Sequence, residues 1–299
     1  MSMQSLILIG GPTASGKSAL ALRLAKERNG NIINADAMQL YAGLPVLTAQ
    51  PDAEDRAEIP HLLYEVTDAA EASSAGKWLV QARDAIEQTK AEGRTPIIVG
   101  GTGLYFDALM GGLADIPPIP DDARAKAAQL YNEWGEKKFR DELAKRDPES
   151  AARIARNDRQ RLIRTYEVAL HTGKSLGEWH KISQTPDQAY NAEFHLLLPP
   201  RDELYAACDK RFLKMIERGA IEEVKNFLKR SLPPTLPAMK ILGVREIAAY
   251  LHGEKNLEES IAKAQQVTRN YAKRQMTWFR NKWGHQSLFG KETINENPF

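Results

Sequence analysis

Cysteine is nearly absent from this 299-residue chain, since Cys208 is the only one. One thiol makes neither an internal disulfide nor a thiolate metal cluster, which excludes a disulfide-stapled scaffold and a zinc-finger module. Long apolar runs are missing too, because no stretch approaches the roughly 20 residues that span a bilayer. Met1-Ser2-Met3-Gln4-Ser5 supplies no basic segment ahead of the first apolar run, so the expectation is a cytoplasmic protein with no membrane partner. Net charge is also small: 41 Lys and Arg stand against 39 Asp and Glu, leaving +2. As an average, that figure argues against a nucleic-acid partner. An average conceals segregation, so the distribution along the chain has to decide.

What is present is alternation. Leu6-Ile7-Leu8-Ile9 is a short apolar run stopped by Gly10-Gly11, the pattern of a strand buried on both faces. Helical patterning follows over residues 15–28, then strands over 31–33 and 62–66, a helix over 78–91, and a strand over 96–99 running into Gly100-Gly101. Strands that alternate with helices predict an α/β fold with a parallel sheet, and the Gly-rich turn ending Gly16-Lys17-Ser18 after the first strand makes the expected core P-loop NTPase-like. After Gly111-Gly112 the character changes. Ile116-Pro117-Pro118-Ile119-Pro120 is a stiff extended linker, helices start near Asp122, Lys137 and Asp158, and the last stops at Gly173. Strand character returns over 194–198. Residues 115–191 are therefore expected to be a helical domain inserted between core segments 1–114 and 192–299. The second core segment is mainly helical, with a Pro-rich break at 232–237 and a long helix over 257–280.

Gly11-Pro12-Thr13-Ala14-Ser15-Gly16-Lys17-Ser18 fits the G-x-x-x-x-G-K-[ST] phosphate loop and lies between a predicted strand and a predicted helix. Such a loop turns backbone N–H groups and a helix N-terminus toward an oxyanion; Lys17 adds a mobile cation, and the Ser18 hydroxyl can ligate Mg²⁺. A hydrolytic NTPase would place a metal-holding acidic residue after an apolar strand, but the 96–99 strand ends in Gly100-Gly101-Thr102-Gly103. The candidate carboxylate is instead Asp36, just past the second strand. Strand carboxyl ends are where open α/β sheets bind ligands, and Thr102 is expected at the same edge. Asp36 read alone is equally a strand-end or helix-capping carboxylate.

Charge does segregate. Residues 260–291 hold Lys263, Arg269, Lys273, Arg274, Arg280, Lys282 and Lys291 with no acidic residue, interleaved with Tyr271, Trp278, Phe279 and Trp283. The insertion carries Arg153, Arg156, Arg159, Arg161 and Arg164 against Asp158. Two such segments beside a phosphate loop suit phosphodiester contacts and base stacking, and they are also what solvated helix faces look like. The seven-residue spacing of Tyr271 and Trp278 points to one aromatic stripe in the core.

Taken together the motifs resemble the tRNA dimethylallyltransferases, also called tRNA isopentenyltransferases. The resemblance runs through the phosphate loop, Asp36-Ala37-Met38-Gln39-Leu40-Tyr41, Thr48-Ala49-Gln50-Pro51, Pro60-His61, Gly100-Gly101-Thr102-Gly103-Leu104-Tyr105, Asn157-Asp158-Arg159-Gln160-Arg161-Leu162-Ile163-Arg164 and Ala272-Lys273-Arg274-Gln275-Met276-Thr277-Trp278-Phe279-Arg280. It implies transfer of a dimethylallyl group from dimethylallyl diphosphate, with Mg²⁺, to N6 of the adenosine 3′-adjacent to the anticodon. Asp36 matches the family's general base, Thr102 its partner at the amine, and Lys17 and Arg211 its diphosphate-binding cations. Arg211 also reads as a surface residue of an amphipathic helix. Contacts to the tRNA anticodon stem-loop carry over to Asp36, Ala37, Met38, Gln39, Thr102, Arg124, Gln160, Arg161, Leu162, Ile163, Arg164, Lys240, Arg245, Lys273, Arg274 and Arg280. A monomer is expected. His61 matches a family position and also fits a satisfied core histidine. Departures from the family pattern are Ser18, Ala37, Leu47, Gln50 and Glu65.

Other functions remain to be weighed against this one. A prenyltransferase for free adenine nucleotide would need the phosphate loop and Asp36 but not two basic segments. A P-loop kinase for a small molecule would normally have an acidic strand end. A binding module without chemistry leaves the phosphate loop unexplained.

Overall fold

The computed structural model describes residues 6–182 and 190–284; Lys291 lies outside that range. The chain divides into two compact units, Met1–Leu109 with Tyr190–Phe299, and Met110–Ala189.

The first unit is built on β1 (Leu6–Gly10), α1 (Lys17–Glu27), β2 (Gly30–Asn34), α2 (Pro45–Thr48), α3 (Ala53–Glu58), β3 (His61–Leu62), α4 (Ala75–Ala91), β4 (Thr95–Gly100) and α5 (Gly103–Gly111). With β5 (Ala192–Leu196) from later in the chain, all sheet pairings are parallel, in the order β3-β2-β4-β1-β5. The continuous apolar runs predicted this, because a parallel strand covered on both faces has no polar side. Ile7, Ile9, Ile32, Ile97 and Val99 pack against Leu20, Leu24 and Ala25 of α1. The order fixes the site's geometry. With β4 between β1 and β2, the loop after β4 emerges between the phosphate loop after β1 and Asp36 after β2.

The strand expected over 62–66 is only His61–Leu62. Leu63 (φ 63°) and Glu65 (φ 55°) both turn left-handed and end the pairing. The turn is held by Asn34, whose Nδ2 donates to the carbonyl of Leu63 at 3.0 Å.

In the second unit, α6 (Asp121–Ala144) is broken at Gly135 (φ 72°, ψ 167°), which accounts for separate helix starts near Asp122 and Lys137. The short α7 (Pro148–Arg153) was not expected from the sequence; its N-cap Asp147 accepts from Ser150 N–H. Asp158 caps α8 (Arg159–Thr172), Gly173 (φ 70°) ends it, and α9 (Leu176–Ile182) follows. Phe139, Leu143, Leu162 and Tyr166 form the core of this unit.

The chain then re-enters the first unit through β5 (Ala192–Leu196), beside β1. Helices α10 (Arg201–Glu217), α11 (Ala220–Leu228), α12 (Val244–Leu251) and α13 (Leu257–Trp283) complete it, with a 3₁₀ turn, Ala238–Lys240, after the Pro-rich break. Helix α13 buries Ala264, Thr268, Ala272, Gln275, Met276 and Phe279, an i, i+4, i+8 stripe that sets its inner face.

Candidate active site

The phosphate loop forms because β1 stops at Gly10 and α1 begins at Lys17. Gly16 (φ 86°) takes the left-handed conformation that aims the first turn of α1 back at the loop. Within the loop, Lys17 Nζ donates to the carbonyl of Pro12 at 2.6 Å. Ser15 Oγ is buried and has no hydrogen-bond partner among the described residues. An orphan hydroxyl and a helix N-terminus in one loop fit an oxyanion.

Asp36 is held by a short Asx turn. Its N–H donates to Asn34 Oδ1 at 2.8 Å, and its Oδ1 accepts from Met38 N–H at 3.0 Å. The capping role is therefore real, and it orients the carboxylate. Asn34 is fixed in turn by Trp78, whose indole N–H donates to the Asn34 carbonyl at 2.8 Å. Thr102 Oγ1 accepts from Ala37 N–H at 2.9 Å, and its side chain shares a hydrogen bond with Tyr271.

A cleft of about 480 Å³ brings several of these groups together. Its polar lining comprises Thr13, Asp36, Thr48, Arg211, Thr268 and Tyr271. Its apolar wall comprises Met38, Leu47, Phe212, Met215, Ile241 and Leu242. Arg211 donates from Nη2 to Thr13 Oγ1, so it faces the phosphate loop. The position of Leu47 and Thr48 is set by Glu223, which accepts from the N–H groups of Val46 (2.7 Å) and Leu47 (2.8 Å) at the start of α2.

Electrostatics sharpen the picture. Burial pushes the Lys17 ammonium down to about 8, opposed by the Asp36 carboxylate and reinforced by the Arg211 guanidinium. Burial also lowers Arg211, against the pull of Cys208 and Asp36. It raises the Tyr271 phenol, with Asp36 adding to the effect. Two cations and one carboxylate thus share a partly desolvated space, where each interaction is stronger than in water.

Not every expected site residue lies there. Ser18 is exposed and lines a second cleft with Gln39, Gln50, Asp55, His61 and Tyr64. Gln39 spends its amide on the chain itself, donating to the carbonyls of Thr48 (3.0 Å) and Ala49 (2.9 Å). His61 is half-buried, with Nδ1 2.8 Å from the Ile59 carbonyl, and burial lowers its pKa. Two of the departures meet in one network, since Arg56 Nη2 donates to Gln50 Oε1 (3.1 Å) and Glu65 Oε2 (2.9 Å).

The basic segments divide by exposure. On α13, Lys273, Arg274 and Arg280 are exposed, as are Lys240 and Arg245 elsewhere in the first unit. Tyr271 and Trp278 are partly buried, and the fully buried aromatic of this stretch is Phe279. In the second unit Arg124 pairs with Asp121 (3.4 Å), Arg161 with Asp158 (3.4 Å) and Arg164 with Glu167 (2.5 Å). Gln160 is exposed, but Leu162 is 1% exposed and Ile163 packs against the same core. Leu162 is thus a core residue, while Ile163 is only partly buried.

Tyr271 and Cys208, which also line the cleft, are not singled out as site residues by the sequence, and Gln275 falls there only within the family segment 273–280. The signal for Gln275 was available: it is an uncharged polar residue on the apolar stripe of a long helix.

A parallel α/β sheet with a phosphate loop, a carboxylate at its carboxyl edge and a partly buried arginine facing the loop defines a P-loop-like enzyme that handles a phosphorylated ligand. The family model described as IPP transferase matches residues 39–282, and one described as Isopentenyl transferase matches residues 4–65. A tRNA dimethylallyltransferase of Caulobacter sp. (strain K31) is 54% identical over 277 residues, covering 92% of this chain and 89% of that relative. Among solved structures, the tRNA isopentenylpyrophosphate transferase of Bacillus halodurans aligns with a TM-score of 0.65 at 35% identity, over 94% of this chain and 88% of that one. A eukaryotic dimethylallyltransferase acting on tRNA aligns with a TM-score of 0.80 at 29% identity, over 92% of this chain and 70% of that one. The chain belongs to the IPP transferase family.

Proposed function

We propose that the chain transfers a dimethylallyl group from dimethylallyl diphosphate to N6 of the adenosine 3′-adjacent to the anticodon of tRNA, releasing diphosphate. The observation that carries this reading is the single cleft that pairs Asp36 with Arg211 and Thr13 and backs them with an apolar wall. In the transfer, N6 attacks the allylic carbon while the bond from that carbon to the diphosphate oxygen breaks. The electron pair leaves with diphosphate, and the amine proton passes to Asp36. An adenine amine is a poor nucleophile because its lone pair is delocalised into the ring, which is why a base is needed. Thr102 orients the amine. Lys17, Arg211 and the loop N–H groups within Gly11 to Ser18 neutralise the leaving group, apart from Pro12, which has none, and Thr13, which donates to Gln275; the apolar wall takes the prenyl tail.

Magnesium fits this arrangement as an ion that arrives with the substrate. Among the described residues no group of three or more His, Cys, Asp or Glu could hold a metal, and Ser18 offers one exposed hydroxyl at the start of α1. Mg²⁺ bound by few protein oxygens and completed by phosphate oxygens and water is ordinary chemistry for that cation. When bound, it would add positive charge at the diphosphate.

The target base is extruded from the anticodon loop, because N6 is out of reach inside a stack. Asp36, Ala37 and Met38 lie where the flipped adenine is read. Arg161 and Arg164 on the second unit, and Lys273, Arg274 and Arg280 on α13, contact phosphates. The protein acts as a monomer in the cytoplasm; no helix among the described residues is long and apolar enough to cross a membrane. The test is incubation with labelled dimethylallyl diphosphate, Mg²⁺ and either unmodified tRNA or AMP. Label should enter tRNA and leave AMP untouched. Labelling of AMP alone would replace this function with the free-nucleotide alternative, and tight ATP binding with weak donor binding would favour a kinase.

A further inference from the structure

One side chain joins the phosphate loop to the acceptor edge. Gln275 lies on the inner stripe of α13 and is 6% exposed. Its Oε1 accepts from Thr13 N–H at 2.8 Å, and its Nε2 donates to the Gly101 carbonyl at 2.8 Å. These backbone partners fix the amide's orientation, because an N–H must face its oxygen and a carbonyl its nitrogen. The contact is close: a Cβ placed on Gly101 would stand 2.2 Å from Nε2. The residue after Gly101 is Thr102, which accepts from Ala37 N–H, and the residue before Ala37 is Asp36. On the other side, the Thr13 hydroxyl meets Arg211. A continuous chain of bonds thus runs from the diphosphate-side arginine to the candidate base, and Gln275 is its central link.

The amide is uncharged and has both ends occupied, so neither proton transfer nor charge neutralisation accounts for it. Packing alone does not account for it either. Neighbours on the same stripe are Ala272, Met276 and Phe279, and a buried amide is costly unless its bonds are used.

We propose that Gln275 is a positioning residue that sets the distance and orientation between the phosphate loop, which holds the leaving group, and the Thr102–Asp36 edge, which holds the attacking amine. This rests on the transfer reaction proposed above. The two substrates sit on separate loops, and a misplacement of about 1 Å at a reacting centre costs about 10²-fold in rate.

The test compares the full-length wild type with Gln275→Met, which keeps the volume and loses both bonds, and Gln275→Asn, which is too short to span both partners. Single-turnover transfer at saturating donor and tRNA, tRNA affinity and the thermal midpoint are measured for each, with rates taken well below the midpoint. The expected result is a loss of about 10²-fold in single-turnover rate for both variants, with tRNA affinity unchanged. A wild-type rate in either well-folded variant overturns the proposal, whether or not its midpoint has fallen. So does weakened tRNA binding with an intact saturated rate, which makes Gln275 a tRNA contact. A wild type that transfers nothing to tRNA removes the reaction itself and the positioning role with it. A wild type that transfers normally beside unimpaired variants removes Gln275 alone.

Discussion

The cations of this chain occupy two environments. Lys17 and Arg211 are partly buried around Asp36, and burial is the largest influence on both. Arg161, Lys273, Arg274 and Arg280 stand exposed, Arg161 with an acid beside it. In water an exposed ion pair contributes only about 0–1 kcal/mol, so Asp158 can yield Arg161 to a phosphate at little cost. Under the proposed function the contrast is a division of labour, in which charge in the cleft would act on the reaction and charge on the surface on affinity for a polyanion.

The largest effect is expected at Asp36. Asp36→Asn keeps the size and an acceptor oxygen for the Asx turn but removes the base, so the single-turnover rate should fall by about 10²- to 10⁴-fold while tRNA affinity holds. Equal losses in both would make Asp36 a binding residue and dissolve the distinction between the two environments.

Next comes a contrast inside one motif. Leu162→Ala opens the core of the helical unit and should cost about 2–5 kcal/mol in denaturant unfolding, whereas Arg161→Ala one position away should barely change stability. Comparable stability losses would mean that Arg161 is structural after all.

A smaller effect is expected for the surface charges. Lys273→Ala and Arg161→Ala should each weaken tRNA binding and reduce the dependence of log affinity on log salt by about one phosphate's share, roughly 0.7–0.9. An unchanged slope would assign these side chains to solvent.

The subtlest effect is a proton. Lys17 sits near 8 in the free protein, below its ordinary value. A bound diphosphate favours the ammonium and raises that value again, so donor binding above pH 8 should take up part of a proton and weaken as pH rises. Calorimetry in buffers of different ionisation enthalpy checks the uptake, which should vanish well below pH 8 and in Lys17→Met.

Much of this was legible in the sequence, and the reasons are specific. The sheet could be read because β1, β2 and β4 each carry a short apolar run buried on both faces, and the phosphate loop because its glycines and Lys17 are contiguous. The short β3 was misjudged because nothing in the residue types of Leu63 and Glu65 announces a left-handed backbone. The arginines of the insertion carry less unpaired charge than their number suggests, since Asp158 pairs with Arg161 and Glu167 with Arg164. The link that Gln275 makes is not legible in the sequence, because its partners are backbone groups of two distant loops, at separations of 262 and 174 residues. Topology brings those loops together, and topology is what local patterning carries least.

Transfer to one adenosine in tRNA is tested most directly by nucleoside and fragment mass spectrometry of tRNA incubated with the protein, Mg²⁺ and dimethylallyl diphosphate. N6-dimethylallyladenosine confined to the position 3′-adjacent to the anticodon is the predicted result, and tRNA that remains unmodified, or is modified elsewhere, would contradict it.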